Sequence, residues 1–454
     1  MSAEGPGTRR KALIGAASAT QAVSGGMLGT TLVVYVGRDG SPFAVSMLAA
    51  VFFASSMLFA PLWGSVGDLL GRRRTLLLCL SGLTTLVTFG FLAAENTWGL
   101  VGLRGLRAVF AVGFAPLVLS MVRALVGQAR RGRSVGFVSS TSAVGDVVAQ
   151  LTVGILLGIL VPTGVFLLIA VLSGVTTVLL AFFRDPVDGD GQRPAVRELL
   201  STARTRLVPD RSERERLRHT GLTWLYGGIA LRHIAVQGVG SLVPIYLVSR
   251  LGFPTVFMGA VLAIRPAAQI GFMPLFGRLA DRGTRKRLIV GGILLSAAYT
   301  LILAVATALS GQSVRTGVVA LGFVVIAAGF SAMDVGAVSV IGDSVPESRE
   351  SAFIGLRSTA AGVGGVLGPL FVGATATLAG FEVAFAVASV FAFAAAALVS
   401  AKFEEPAPKT APATAFGAVE LSTGPTQPPG THRGEDAGRT RTDPKLRDAS
   451  ERQE

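Results

Sequence analysis

Apolar residues occupy most of this chain up to about residue 401 in runs of roughly 20, the length that carries an α-helix across a bilayer core. The runs cover 12–36, 42–66, 75–94, 98–122, 135–160, 164–183, 220–248, 255–279, 288–309, 316–341, 352–378 and 382–401. Short charged breaks separate them. The pattern predicts an all-α polytopic membrane protein with about twelve transmembrane helices.

Composition agrees. A mean hydropathy of +0.61 with 51% hydrophobic and 15% charged residues leaves too little polar surface for a water-soluble chain of this length. The formal charge of +14 would suit nucleic acid if it were clustered on one surface. Instead the basic residues alternate between connections: Arg9, Arg10 and Lys11; Arg72, Arg73 and Arg74; Arg123, Arg130, Arg131 and Arg133; Arg282, Arg285, Lys286 and Arg287. The intervening connections at 37–41, 95–98, 161–163 and 310–315 are short and nearly neutral. Lys/Arg asymmetry of this kind sets orientation, so both termini are expected in the cytoplasm of a cell-membrane protein, and no nucleic-acid partner is expected. No cleavable signal peptide is expected at the first run. Cys79 is the single cysteine, which excludes an intrachain disulfide.

The chain repeats itself. Gly64, Asp68, Gly71, Arg72 and Arg73 recur 213 residues later as Gly277, Asp281 and a basic run at Arg282, Arg285 and Lys286. Gly136, Gly145 and Gly154 recur as Gly355, Gly364 and Gly373, each 219 residues on, and Gly113-Phe114 recurs as Gly329-Phe330. Three ordered matches predict two homologous six-helix bundles, 12–183 and 220–401. Residues 1–11 then form a cytoplasmic N-terminus, and 184–219 an arginine-rich, helix-capable cytoplasmic connection. The stretch 402–454, rich in Pro, Thr, Gly and charge, is expected to be a disordered cytoplasmic tail.

The loop between spans two and three, Gly64-x-x-x-Asp68-x-x-Gly71-Arg72-Arg73, resembles the signature loop of the major facilitator superfamily. The resemblance implies alternating access by two rocking bundles around a central site. It implies a conformational latch, formed by this loop and its second copy, that holds the outward-facing state. Leu69 stands where the family usually has a basic residue, which Arg282 retains in the second copy. A second segment, Gly355, Gly364, Gly368, Pro369 and Gly373, resembles the helix-packing motif of the family's proton-coupled exporters. Its full form lies in span eleven here, whereas the exporters carry it in span five. Span five keeps the glycines but has Ala149-Gln150 in place of Gly-Pro. Arg104 and Arg107 in span four resemble the arginine motif of proton-coupled members, with Phe110-Ala111 where Gln-Gly is usual.

Charges inside spans are costly and mark function by default. At 1.5 Å per residue, Arg107 lies about 13 Å below the outer end of span four, and Asp146 reaches a similar level on antiparallel span five. The two are therefore expected to pair, as a proton-responsive element or as a static ion pair, with Asp334 of span ten as a further acid. Gln21, Arg232, His233, Gln237 and Arg265 are the candidate cavity residues, with His233, Gln237 and Ser241 along one stripe of span seven. Spans three, six, nine and twelve carry no interior charge, which matches the peripheral scaffold role that the resemblance gives them. With Asp334 distant, Arg232 and Arg265 leave a net-positive cavity that suits an anion or an amphiphile.

There is no phosphate-binding Gly-x-x-x-x-Gly-Lys-Ser/Thr loop, no zinc-spaced Cys/His cluster and no nucleophile elbow. Neither an enzyme nor a metal or organic cofactor is expected. The sequence points to a secondary active transporter working as a monomer with protons and a small-molecule substrate. The first expectation is proton-coupled efflux of amphiphilic organic compounds, an antiporter; the second is proton-linked uptake of a small organic anion.

Overall fold

Local chemistry fixes where the helices start and stop. Ser41 caps span two by accepting the Ala44 N–H at 3.2 Å, and Pro42 follows in the first turn, where a missing N–H costs nothing. Asn96 caps span four by accepting the Gly99 N–H at 2.6 Å. Gly71 ends span two in the left-handed region, with φ 64°, so the chain reverses directly into span three.

The computed structural model describes residues 6–125, 131–183, 211–283 and 285–405. Most of the expected central connection (184–210) and the tail from 406 lie outside the described residues. Among the described residues nine helices are long and apolar enough to cross a membrane by length and composition. Three features bring this to twelve. The longest helix, Glu347–Lys402, breaks at Gly380, where φ is 86°, into spans eleven and twelve. Span one (Pro6–Asp39) and span three (Arg73–Gly90) are full helices whose hydroxyl-bearing or basic residues lower their hydropathy. Those of span one, such as Ser24, Thr30 and Thr31, are buried inside the bundle.

The other spans are Pro42–Leu70, Thr97–Val122, Gly136–Ile159, Pro162–Phe182, Leu222–Arg250, Thr255–Ala280, Arg285–Ala308 and Gln312–Ser344. Span one begins at Pro6, so part of the expected N-terminal extension is helical. Span four is broken at Val112-Gly113, and the Trp63 indole of span two donates to the Val109 carbonyl there at 2.7 Å. Span seven ends in a π-helical turn, Tyr246–Arg250. A non-spanning helix, Arg211–His219, docks beneath the second half through buried Leu217 and an ion pair of Glu213 with Arg349 at 3.5 Å.

Span one packs on five and six, and three on six; in the second half, seven packs on the eleven–twelve helix and nine on ten. The halves meet through spans five and eight and through spans two and eleven. These meetings cluster at the end of the bundle away from Pro6 and Glu405, here the far end. Ser46 bonds Ser241 at 3.2 Å and the Phe43 N–H donates to Thr377 at 2.9 Å. One apolar core runs through both halves there, joining Met27 and Leu32 to Val239, Tyr246 and Met258. At the near end each half keeps its own core, Ile14, Leu77, Leu117 and Leu180 in the first, Leu222, Ile289, Met333 and Phe353 in the second. The halves are thus sealed together at the far end.

Candidate functional site

Glycine sets how closely the inner spans approach. A Cβ at Gly145 would sit 2.7 Å from the Ala19 carbonyl of span one, and one at Gly364 would sit 2.7 Å from the His233 Cβ of span seven. In each half, then, the same repeated glycine seats the fifth helix of the bundle on its first. Gly154 and Gly373, the next members of the pattern, face the opposite half. Gly154 lies against Gly259 and Thr255 of span eight, and Gly373 against Ser46 of span two. Pro369 sits inside the span-eleven helix beside Gly368, which packs on Ile234 of span seven.

A cavity of about 350 Å³ opens between the halves. The first half contributes Thr30 of span one with Asp146 and Gln150 of span five. The second contributes Gly240, Val243 and Pro244 of span seven, Leu262, Arg265, Pro266 and Gln269 of span eight, Tyr299 of span nine and Phe323 of span ten. Thr30 donates to the Gln150 amide oxygen at 2.9 Å, which spends that acceptor within the wall. Asp146 is exposed to the cavity, with its carboxylate near Gly26 of span one. Arg265 faces it from the other half, and the two charges act on one another without ion-pair contact among the described residues. The Gln269 amide nitrogen, one turn along the helix from Arg265, is buried without a hydrogen-bond partner. Pro244 and Pro266 remove the helical donors that the Gly240 and Leu262 carbonyls would otherwise have, and all four residues line the wall.

The expected Arg107–Asp146 pair does not form. Arg107, 2% exposed, donates to Thr88 of span three at 2.8 Å and to Ser24 of span one at 3.0 Å. It turns into the first bundle while Asp146 turns towards the second; equal depth does not mean equal bearing around the helix axis. Arg104 is buried as well, with its guanidinium 4.8 Å from the Phe52 ring centre, and does not reach out to the membrane surface.

Asp334 acts on Arg232 at a distance, as expected, but its direct partner is Arg357 of span eleven, which forms an ion pair with it. Arg357 escaped the sequence reading, yet each residue lies ten positions from the near end of its helix, a matching depth that would have signalled the pair. Arg232 is 1% exposed, donates to Ser296 at 3.0 Å and stacks on Phe330, whose ring Arg265 also approaches. The His233 ring nitrogen Nδ1 hydrogen-bonds the Ile229 carbonyl at 2.8 Å. Gln21, Arg232, His233 and Gln237 are not among the residues lining the cavity; Arg265 alone of that expected set is. Among the nine helices of membrane-spanning length and hydropathy, span seven is the most enclosed, so its polar stripe packs mainly against neighbours.

The duplicated loops sit at the near end. Gly64 is buried; Asp68 accepts a hydrogen bond from Ser120 at 3.1 Å and lies 3.6 Å from Arg73, while Arg72 is exposed. In the second copy Gly277 lies in the last turn of span eight, Asp281 and Arg282 are exposed, and Arg285 forms an ion pair with Asp343. The Arg285 and Lys286 N–H groups donate to Glu405, which caps span nine from beyond span twelve.

Two six-span bundles, repeated glycines in equivalent contacts and a polar cavity between the halves have counterparts among known proteins. Over 365 residues the chain is 24% identical to the multi-drug resistance efflux pump PmrA homolog of Lactococcus lactis, covering 78% of this chain and 82% of that one. It is 26% identical over 240 residues to the multidrug resistance protein MdtG of Proteus mirabilis, spanning 51% of this chain and 56% of that protein's length. Among solved structures the nucleoside transporter NupG superposes with a TM-score of 0.72 over 87% of this chain and all of NupG, at 12% identity. A bacterial homolog of the human lysosomal transporter Spinster, crystallised inward-facing, gives 0.66 over 88% of this chain and 98% of its own, at 16% identity. The profile of the Major Facilitator Superfamily matches residues 14–268 and again 225–433, nearly the whole membrane part, and the chain belongs to that superfamily of multi-pass membrane transporters.

Proposed function

We propose that this transporter exports small amphiphilic organic compounds from the cytoplasm in exchange for protons, by alternating access of the central cavity. The observation that carries the reading is Asp146, a membrane-embedded carboxylate exposed in a cavity between the halves and without an ion-pair contact among the described residues. The drug-exporter names of the L. lactis and P. mirabilis relatives support the export direction.

Physical cost explains the exchange. Enclosing a bare carboxylate away from water costs several kcal/mol. The halves therefore close readily only when Asp146 holds a proton or a cationic group of the substrate. One site that accepts either but not both couples their opposite movements. The arginines at the near end, Arg72, Arg73, Arg74, Arg285 and Arg287, support a cytoplasmic near end and cytoplasmic termini. A cavity lined by both halves of one chain supports the reading of a monomeric working unit. The conformation sealed at the far end is then the inward-facing one.

Arg265 and the unpaired Gln269 amide favour a second reading, proton-linked uptake of an organic anion. Proteoliposomes carrying an internal pH dye separate the two. Export predicts that a lipophilic cation moving one way drives protons the other way, and that Asp146→Asn uncouples them. Substrate and protons entering together would establish uptake in its place. Substrate movement without any proton signal would end both readings.

A further inference from the structure

The cavity presents opposite charges from opposite halves, an acceptor wall around Asp146 and a donor wall formed by Arg265, Gln269 and Tyr299. On the donor wall Gln269 leaves a buried N–H group with no partner, which in a protein interior marks a place meant for an acceptor. On the second half the Gly240 and Leu262 carbonyls, relieved of their helical donors by Pro244 and Pro266, add further acceptors to the cavity lining. Arg265 and Tyr299 are the other ionisable side chains on the cavity wall among the described residues, so Asp146 and Arg265 set its charge pattern. They are not in ion-pair contact, which leaves room for a ligand to lie between them. The flanking surface is apolar and aromatic: Leu262, Phe323 and Val243.

We propose that the preferred substrate is a zwitterion: its ammonium docks on Asp146, its carboxylate on Arg265 and Gln269, and an aromatic body fills the cavity between. This rests on the export reading and deepens it. The ammonium competes with the proton for Asp146, which is the exchange. The carboxylate satisfies Arg265 and Gln269, and the ligand replaces one long-range attraction between the halves by two short contacts. A purely cationic compound meets only half of the site. A purely anionic one leaves Asp146 protonated and is carried with the proton, in the opposite sense.

Three probes on one scaffold test this: an aromatic ω-amino acid as the free zwitterion, its methyl ester bearing only the ammonium, and its N-acetyl derivative bearing only the carboxylate. In proteoliposomes the zwitterion is expected to reach half-maximal transport at a concentration roughly tenfold or more below the ester, the value of one charge-assisted contact. Arg265→Gln and Gln269→Leu should each shrink the zwitterion-to-ester ratio, Arg265→Gln to about one, whatever their absolute rates. An ester as good as the zwitterion in the unmodified protein overturns the proposal, as does preference for the N-acetyl compound. If no probe moves protons, the export reading falls. The zwitterion preference is then still decided by equilibrium binding of the same three compounds.

Discussion

Arg107 illustrates how a membrane protein holds a charge on hydroxyl groups, with no acid paired to it among the described residues. Its guanidinium spans three helices, bonding Ser24 and Thr88 from its own span, and hydrogen bonds to a charged group are worth about 1.5–3 kcal/mol each. Arg107→Ala is therefore expected to lower stability by a few kcal/mol, read as an earlier thermal transition of the purified protein. Asp146→Asn, at an exposed cavity position, should leave that transition nearly unchanged. Because the two residues share no contact, their effects should add to within about 0.5 kcal/mol in a double-mutant cycle. A coupling well above that would revive an Arg107–Asp146 pair. The level of each charge was legible in the sequence, since rise per residue converts position into depth. Bearing around the helix axis was not, because it depends on helix rotation that only packing fixes. Depth alone brought Arg107 to Asp146 wrongly, and would have brought Asp334 to Arg357 rightly.

Among elements, the glycine pattern was the most legible feature, and the structure gives it a division of labour. Gly145 and Gly364 join helices within a half; Gly154 and Gly373 join the halves. The consequences of substitution therefore differ in kind. A leucine at Gly364 would drive into the backbone of Ala230 and Ile234, which stay together throughout any rocking motion, so it should destabilise the second bundle by roughly 1–3 kcal/mol. The check is a lower thermal transition without a shift between transport states. A leucine at Gly154 meets Gly259 and Thr255 across a contact that must open in each cycle, so its strain falls on one conformation only. Spans one and three were legible as apolar runs at 12–36 and 75–94 despite their hydroxyl-bearing and basic residues, and both are helices. The break of span four at Gly113 went unread, since a Trp63 donor 46 positions before the Val109 carbonyl leaves no local trace.

For the whole molecule, the two repeats imply two end states whose balance can be pushed from either side. The conformation described here is sealed at the far end, and in it Asp68 bonds Ser120 and Arg73 within its own half. The latch role carried over from the signature loop belongs to the opposite state, where the near end closes. Gly154→Leu penalises far-end closure and should favour the far-open state; Asp68→Asn weakens the latch and should favour the near-open one. Coupling energies of 1–3 kcal/mol correspond to population ratios changed about 5–150-fold, so either substitution is measurable. Ser46→Cys in a Cys79→Ser background provides the reporter, because Ser46 is fully buried where the halves meet. Thiol labelling at position 46 should rise at least fivefold with Gly154→Leu, fall with Asp68→Asn and return towards the parent rate in the double variant. Return in the double variant is the informative result, since it requires both residues to bias one shared equilibrium. If Asp68→Asn leaves labelling unchanged, the duplicated loop serves only as orienting charge at the near end, and far-end packing alone sets which way the transporter rests.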